Sequence, residues 1–213
     1  KQRALSLEQR LLESMHEVEE RERETLSRLA RAIELRDSGT SAYLERMAHV
    51  AGLVAEGLGL AEERVRTIEL AAPLHDIGKI AIPDALLMKP GPLDEHERKR
   101  MQLHPGIGYQ LLRDSHNPFI QVGAMIAHCH HEHYDGTGYP RGLAGDEIPI
   151  EARVVTVADV FDALISPRPY KRAWSIEEAL EFIEGQSGKL LDPDCVRALM
   201  ADLRVSPVTI QKA

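Results

Sequence analysis

Leu74-His75-Asp76-Ile77-Gly78-Lys79 decides how the rest of this chain is read. It sets an imidazole beside a carboxylate and follows them, three and four residues later, with an amine. Within a helix that spacing brings Lys79 onto the face that carries His75 and Asp76. Gly78 takes a side chain out of the turn, so a second backbone or a substrate can come close. A neutral imidazole and an ionised carboxylate are ligands for a divalent cation, and an ammonium beside them can offset phosphate charge. An isolated His-Asp pair most often makes only a hydrogen bond within its helix, so its chemistry depends on the surrounding chain.

Working outward, the pattern is helical on both sides. Residues 61–79 read as one helix, with Pro73 expected to kink it one turn before the pair. Residues 41–57 form the preceding helix, ending near Gly57 and Gly59, and Asp37-Ser38-Gly39-Thr40 breaks the chain before it. Residues 1–36 hold neither proline nor glycine and read as one long helix. Leu5, Leu12, Leu26 and Ile33 fall seven apart, with Glu19 at the missing step. Leu11, Met15, Val18 and Leu29 widen the stripe, and residues 17–24 are nearly all charged. This is expected to be a connector helix, able to form a homodimer, that joins an N-terminal receiver or sensor module absent from the chain, which begins inside helix-forming sequence.

Downstream, Pro83 and Lys89-Pro90-Gly91-Pro92 mark a turn-rich connection. Asp94 with Glu97 signals a capped helix start, with the helix expected to reach His104 and Pro105 to restart it. Asn117-Pro118 opens the next helix, which ends in the histidines at 128–133. The glycine- and proline-rich residues 134–150 read as a long ordered loop, with room for a small hairpin, and loops of that length are usually functional. A helix over 151–165, a capping box at Ser175 and Glu178, and a start at Asp192-Pro193 complete the chain. No run alternates as strands do, so the expected fold is all-α, divided into a connector at 1–36 and one domain at 37–213.

Composition narrows the function. Apolar residues make up 43% of 213, enough for a core, but aromatics only 4%, so Leu, Ile, Val, Ala and Met must build it. The net charge of −8 argues against a nucleic-acid polymer as partner, whereas a small anion held by metal and a few local cations remains possible. Cys129 and Cys195 match neither a disulfide framework nor a zinc motif and are expected to be small buried apolar residues, which suits a cytoplasmic location. No apolar run is long enough for a membrane span.

Ten histidines is a high count, and six lie between His104 and His133. His16, His96, His116, His128 and His133 are read as ordinary surface or hydrogen-bonded residues. His130 and His131, adjacent at a helix end before a glycine-rich loop, need only slight unwinding of the last turn to point the same way. His104 stands at a helix break before Pro105. Asp159 is a carboxylate on an apolar helix face, where it needs a partner, and a metal is one.

Taken together, Leu74-His75-Asp76-Ile77-Gly78-Lys79, His104-Pro105, His130-His131-Glu132-His133-Tyr134-Asp135-Gly136-Thr137-Gly138-Tyr139-Pro140, Asp159-Val160-Phe161-Asp162-Ala163-Leu164 and Arg168-Pro169-Tyr170 resemble, in order and spacing, the HD-GYP family over residues 34–200 or so. The resemblance implies an HD-superfamily helical domain with a GYP loop, and a metal-dependent phosphodiesterase that hydrolyses cyclic di-GMP to a linear dinucleotide or onward to GMP. It implies two divalent ions bridged by Asp76, one held also by His75 and Asp159, the other by His104, His130 and His131. Ligands of imidazole and carboxylate without thiolate suit iron or manganese. Lys79 is implied to contact the phosphate and help protonate the leaving oxygen. Asp37, Asp162, Arg168 and Lys171 are implied to hold substrate phosphates or position Lys79, and Tyr139 to border the site.

The chain departs from the family at one ligand. The usual opening, R-D-x-x-T-x-x-H-x-x-R, reads here Arg36-Asp37-Ser38-Gly39-Thr40-Ser41-Ala42-Tyr43-Leu44-Glu45-Arg46, with Tyr43 where a histidine would ligate the first ion. Gly39 replaces a glutamate found where a third metal binds, so a trinuclear site is not expected. At Tyr43 three outcomes stand open: a phenolate ligand, a water in its place, or loss of that ion. The favoured reading is a retained but weakened binuclear site. His49, six residues on, points to another face. Function therefore has two readings: a cyclic di-GMP phosphodiesterase serving as the output domain of a response regulator, or a weakly catalytic module whose GYP loop docks a diguanylate cyclase (GGDEF-domain) partner. The intact GYP block disfavours a third reading, a general nucleotide phosphohydrolase.

Overall fold

The computed structural model describes residues 2–37, 42–167 and 172–205. Over these the chain forms α1 (Gln2–Asp37), α2 (Ala42–Gly57), α3 (Glu62–Ala71), α4 (Asp84–Leu87), α5 (Glu95–Met101), α6 (His104–Leu112), α7 (Pro118–Cys129), α8 (Ile150–Ile165), α9 (Ile176–Gly185) and α10 (Pro193–Val205). Among the described residues, extended pairing is confined to two isolated bridges, Asp135 with Ala144 and Ser187 with Leu191. The all-α expectation is met.

The caps fall where their chemistry predicts. Asp94 accepts from the Glu97 backbone N–H at 2.8 Å while Glu97 reaches back to the Asp94 N–H at 2.9 Å. Ser175 and Glu178 make the same reciprocal pair, and the Asn117 side chain caps α7 through the Phe119 N–H. Each satisfies helix donors that have no partner inside the helix.

The expected helix over 61–79 does not form as one piece. α3 stops at Ala71, a 3-10 turn covers Ala72–Leu74, and after His75 and Asp76 a second 3-10 segment covers Ile77–Ala81. Pro73 lacks the N–H that would continue α3 and its ring crowds the carbonyl four residues back. The tighter helix eclipses residues three apart, so the Lys79 N–H bonds the Asp76 carbonyl at 2.9 Å and the two side chains stack one over the other. The helix expected to reach His104 likewise ends at Met101, and α6 starts afresh at His104 with Pro105 in its first turn.

α2 is the central rod. Met47, Val50, Ala51, Val54 and Ala55 are fully buried, within one core that also holds Val154, Val155, Val157, Ala158 and Phe161 of α8 and Cys195 and Leu199 of α10. With so few aromatics, Phe161 is the largest fully buried side chain. Both cysteines are buried and unbridged, as expected. The end of α1 belongs to this body too: Ala30 and Ile33 are buried in the core, and Arg36 donates to the carbonyls of Ile80 (3.3 Å) and Ile82 (3.2 Å) and to Asp84 (2.5 Å). Of the seven-apart positions in α1, only Ile33 has a described side chain; Val18 and Leu29, on the flanks of that stripe, are exposed. Among the described residues no helix is long and apolar enough to cross a membrane.

Candidate metal centre

Three chain segments deliver their side chains to one point, and each does so at an interruption of regular helix. His75 and Asp76 occupy the turn between two 3-10 segments, His104 begins α6, and His130 and His131 follow the last residue of α7. The slight unwinding expected after α7 is present: the Glu132 N–H bonds the Cys129 carbonyl at 2.9 Å, a three-residue step. Ligand atoms of Asp76, His104, His130 and His131 all lie within 4.8 Å of one another. Asp76 Oδ1 is 3.2 Å from His104 Nε2 and 3.7 Å from His130 Nε2, and the two imidazole nitrogens are 3.3 Å apart. His75 Nε2 is 3.1 Å from Asp76 Oδ2.

The backbone decides which nitrogen of each ring faces inward. His75 Nδ1 donates to the Ala72 carbonyl at 2.9 Å, His104 Nδ1 to Met101 at 2.8 Å, and His130 Nδ1 to Ala127 at 3.0 Å. A carbonyl can only accept, so each Nδ1 carries a proton and each Nε2 faces the centre, with a lone pair whenever the ring is neutral, the arrangement that metal-bound histidines adopt. His75 Nε2 and Asp76 Oδ1 are buried and make no hydrogen bond. Polar atoms are rarely left so in a folded interior, and a divalent cation bound by imidazole and carboxylate would satisfy both. The residues present fit such an ion.

Charge is tightly distributed. Burial would raise the Asp76 carboxyl, but Lys79 and His75 beside it hold it well below the usual carboxylate range. Burial would lower His75, but Asp76 prevails and brings it to about 9. His130 is lowered by burial, and His131 falls well below the ordinary histidine value through burial and the neighbouring His130 and His104. Lys79 Nζ sits 2.7 Å from Asp76 Oδ2, an ammonium at the mouth of the nest.

The other expected residues have varied fates. Tyr139 stacks on the His131 ring at 4.7 Å and its N–H bonds the His131 carbonyl at 3.0 Å, so the loop covers that ligand. Asp159, on α8, lies outside the four-ligand cluster and accepts the Tyr43 hydroxyl. Asp162 is fully buried, paired with Arg46 and bonded by Ser166 at 2.9 Å. The Asp37 side chain, Arg168 and Lys171 lie outside the described residues. Of the histidines read as ordinary, His128 stacks on Tyr109, His133 bonds the Thr137 hydroxyl, and His96 and His116 are exposed; the His16 side chain is not described.

Three residues that the motifs contain gain a role only from the structure: Glu132, Gly138 and Arg46. Glu132 is buried and its two oxygens accept the backbone N–H groups of Arg141 (2.8 Å) and Leu143 (3.0 Å), folding the loop back over the histidines. Gly138 makes that return possible, since a Cβ there would lie 2.2 Å from the His133 nitrogen. Arg46 neutralises Asp162. A carboxylate two residues before the glycine-rich loop, a glycine within it, and an arginine three residues after Tyr43 are the available signals.

A nest of three imidazoles and a carboxylate, built at helix breaks in an all-α fold, defines a helical protein with a His/Asp cluster that could hold a metal ion. The chain belongs to the HD domain family, whose model matches residues 27–195, and the intact GYP block places it in the HD-GYP branch. It is 70% identical, over 94% of its length and 53% of the relative's, to the Cyclic di-GMP phosphodiesterase response regulator RpfG of Xanthomonas campestris pv. campestris. It is 49% identical, over 83% of its length and 48% of the relative's, to a Cyclic di-GMP phosphodiesterase of Thermotoga maritima. The solved structure of a cyclic GMP-AMP specific phosphodiesterase of Vibrio cholerae superposes with a TM-score of 0.65 at 21% identity, covering 90% of this chain and 51% of that one, a likeness of fold. The chain spans about half the length of these curated relatives.

Proposed function

We propose that this chain is a metal-dependent phosphodiesterase that hydrolyses cyclic di-GMP to a linear dinucleotide. One observation carries the reading: Asp76 stands among the inward nitrogens of His75, His104 and His130, with the Lys79 ammonium 2.7 Å away and the GYP loop overhead. The names of the relatives support the substrate. Asp76, His104, His130 and His131 would hold one divalent ion, and Asp76 with His75 and Asp159 a second, iron or manganese by ligand type. Bound there, such ions would supply Lewis acidity toward the phosphate and would lower the pKa of a water toward neutrality.

The chain's own residues supply the rest. Hydrolysis joins a water oxygen to phosphorus and breaks the bond to a ribose oxygen, which must gain a proton. Lys79 is the ammonium beside the nest and would offset charge on the phosphate and donate that proton, while Asp76 keeps it in place. Glu132 and Tyr139 would fix the loop over His131. Asp37, Arg168 and Lys171 would hold the phosphates, and Asp162, buried under Arg46, would act by keeping α8 in register on α2. By analogy with the first relative, the chain would be an output unit driven by an N-terminal receiver or sensor module through α1, with α1 pairing two copies and the GYP loop docking a GGDEF-domain protein.

The test is turnover of cyclic di-GMP by the purified chain with manganese or ferrous iron, read by chromatography of the products. The expected result is hydrolysis that chelation abolishes, that added metal restores, and that Lys79→Ala reduces at least ~100-fold, the scale of a lost proton donor. Absence of hydrolysis with either ion would leave the docking role. Faster turnover of cyclic GMP-AMP or of a nucleoside triphosphate would overturn the substrate.

A further inference from the structure

We infer that Tyr43 is a hydrogen-bond donor to Asp159 and not an ion ligand, so that the two cation positions of this chain fill unequally. The inference rests on the metal-dependent reading above and concerns how that site loads. The nest of Asp76, His104, His130 and His131 takes its ion first. The position beside His75 fills second, and only as the Tyr43 hydroxyl and the ion compete for Asp159.

The geometry behind this is a two-rung ladder between α2 and α8. Tyr43 donates to Asp159, and one turn along each helix Arg46 pairs with Asp162. The rungs are three residues apart on both helices, so the second locks the register of the first. Leu44 and Met47 on either side are buried in the core and Tyr43 itself is 8% exposed, so the ring has no room to swing away. Arg46 also donates to the Ser166 hydroxyl at 2.6 Å, closing the end of the ladder.

The donor sets of the two positions then differ. The first offers three imidazole nitrogens and a carboxylate oxygen from residues converging within 4.8 Å. At the second, Asp159 Oδ1 is engaged by the phenol and Asp76 Oδ2 by Lys79. His75 Nε2, fully buried, without a hydrogen bond and 3.1 Å from Asp76 Oδ2, is then the one donor atom left uncommitted there, so the second position is short of donors. For Tyr43 to ligate, its hydroxyl would have to give up the bond to Asp159 that the Arg46–Asp162 pair holds in register.

The experiment counts ions instead of turnover. Manganese is titrated calorimetrically into the metal-free wild type, Tyr43→Phe and Tyr43→His, and bound metal is measured after desalting. The expected wild type retains one ion and binds a second at least ~10-fold more weakly, the span that a change beside a ligand commonly makes. Tyr43→Phe, nearly isosteric and so safe for folding, keeps the first ion and binds the second no more weakly than the wild type. Tyr43→His tightens the second ~10-fold or more by adding an imidazole. Loaded with ferric iron, the wild type shows no phenolate-to-iron absorption in the visible. Two ions retained equally by the wild type, no ion retained at all, loss of an ion in Tyr43→Phe, or a phenolate band would each overturn the inference. Unequal loading without hydrolysis of cyclic di-GMP would instead refute only the proposed function.

Discussion

Gly78→Ala is the sharpest test of how the site is assembled. A Cβ built at Gly78 would lie 1.9 Å from the His104 carbonyl oxygen and 2.6 Å from the Gly108 nitrogen. Non-bonded atoms prefer about 3.5 Å, so one methyl group must push the first turn of α6 away from the 3-10 segment by about 1.5 Å. Both obstructing groups are backbone, with no rotamer to relieve them. Overpacking of this kind costs about 1–3 kcal/mol, and the rigid neighbours put this case near the upper end. At roughly 2–4 °C per kcal/mol for a chain of this size, the melting temperature should fall by about 6–12 °C. The displaced turn carries His104, and a metal site tolerates only about 0.5 Å of misplacement, so manganese should stabilise the variant far less than the wild type. Thermal denaturation with and without manganese measures both effects. A variant that melts within about 2 °C of the wild type, with an undiminished manganese response, would refute the reasoning.

Glu132→Gln replaces a carboxylate that accepts two backbone N–H groups with an amide that can accept through one oxygen only, at a cost of about 1.5–3 kcal/mol. Amide exchange at Arg141 and Leu143 should accelerate while that of α2 stays slow; unchanged protection would remove Glu132 from the loop's support. Arg46→Met leaves Asp162 buried without its partner, a loss of about 3–5 kcal/mol in urea denaturation, most of it recovered by adding Asp162→Leu. Arg36→Ala releases the Ile80 and Ile82 carbonyls and Asp84; it should cost about 1–2 kcal/mol and lower turnover while bound metal stays constant. In metal-free protein, His75 is raised from 6.5 to about 9 by Asp76. A base raised on folding contributes stability that is fully present below its unfolded value and is lost as pH climbs through the folded one. Metal-free protein should therefore lose stability between pH 6.5 and 9.5, and His75→Gln should flatten that slope.

Much of the architecture was legible because it is local. Capping boxes at Asp94 and Ser175 and the start at Asn117-Pro118 follow from backbone donors and ring geometry within a few residues, whereas Pro73, expected only to kink its helix, ends it. The helix over 61–79 was overdrawn because apolar spacing alone cannot separate an α-helix from two 3-10 turns of similar period. Gly78 was rightly read as a place of close approach, but whether substrate or backbone approaches was a question only α6 could answer. Of the histidines singled out as ligands, His104, His130 and His131 converge on Asp76 with His75 beside it, while His96 and His116 are exposed.

What the sequence alone determined was the helical class, most element boundaries to within a turn with the stretch 61–79 as the exception, and the family through its motif letters. Tertiary packing decided the convergence of residues 75, 76, 104, 130 and 131 within a few ångströms, the inward turn of each Nε2, and the bond from Tyr43 to Asp159. The physical reason is range. Helical periodicity relates a residue to neighbours three or four positions away, whereas these groups come from segments 25 residues and more apart and meet only because apolar faces of α2, α7 and α8 seal together and aim the broken helix ends at one point.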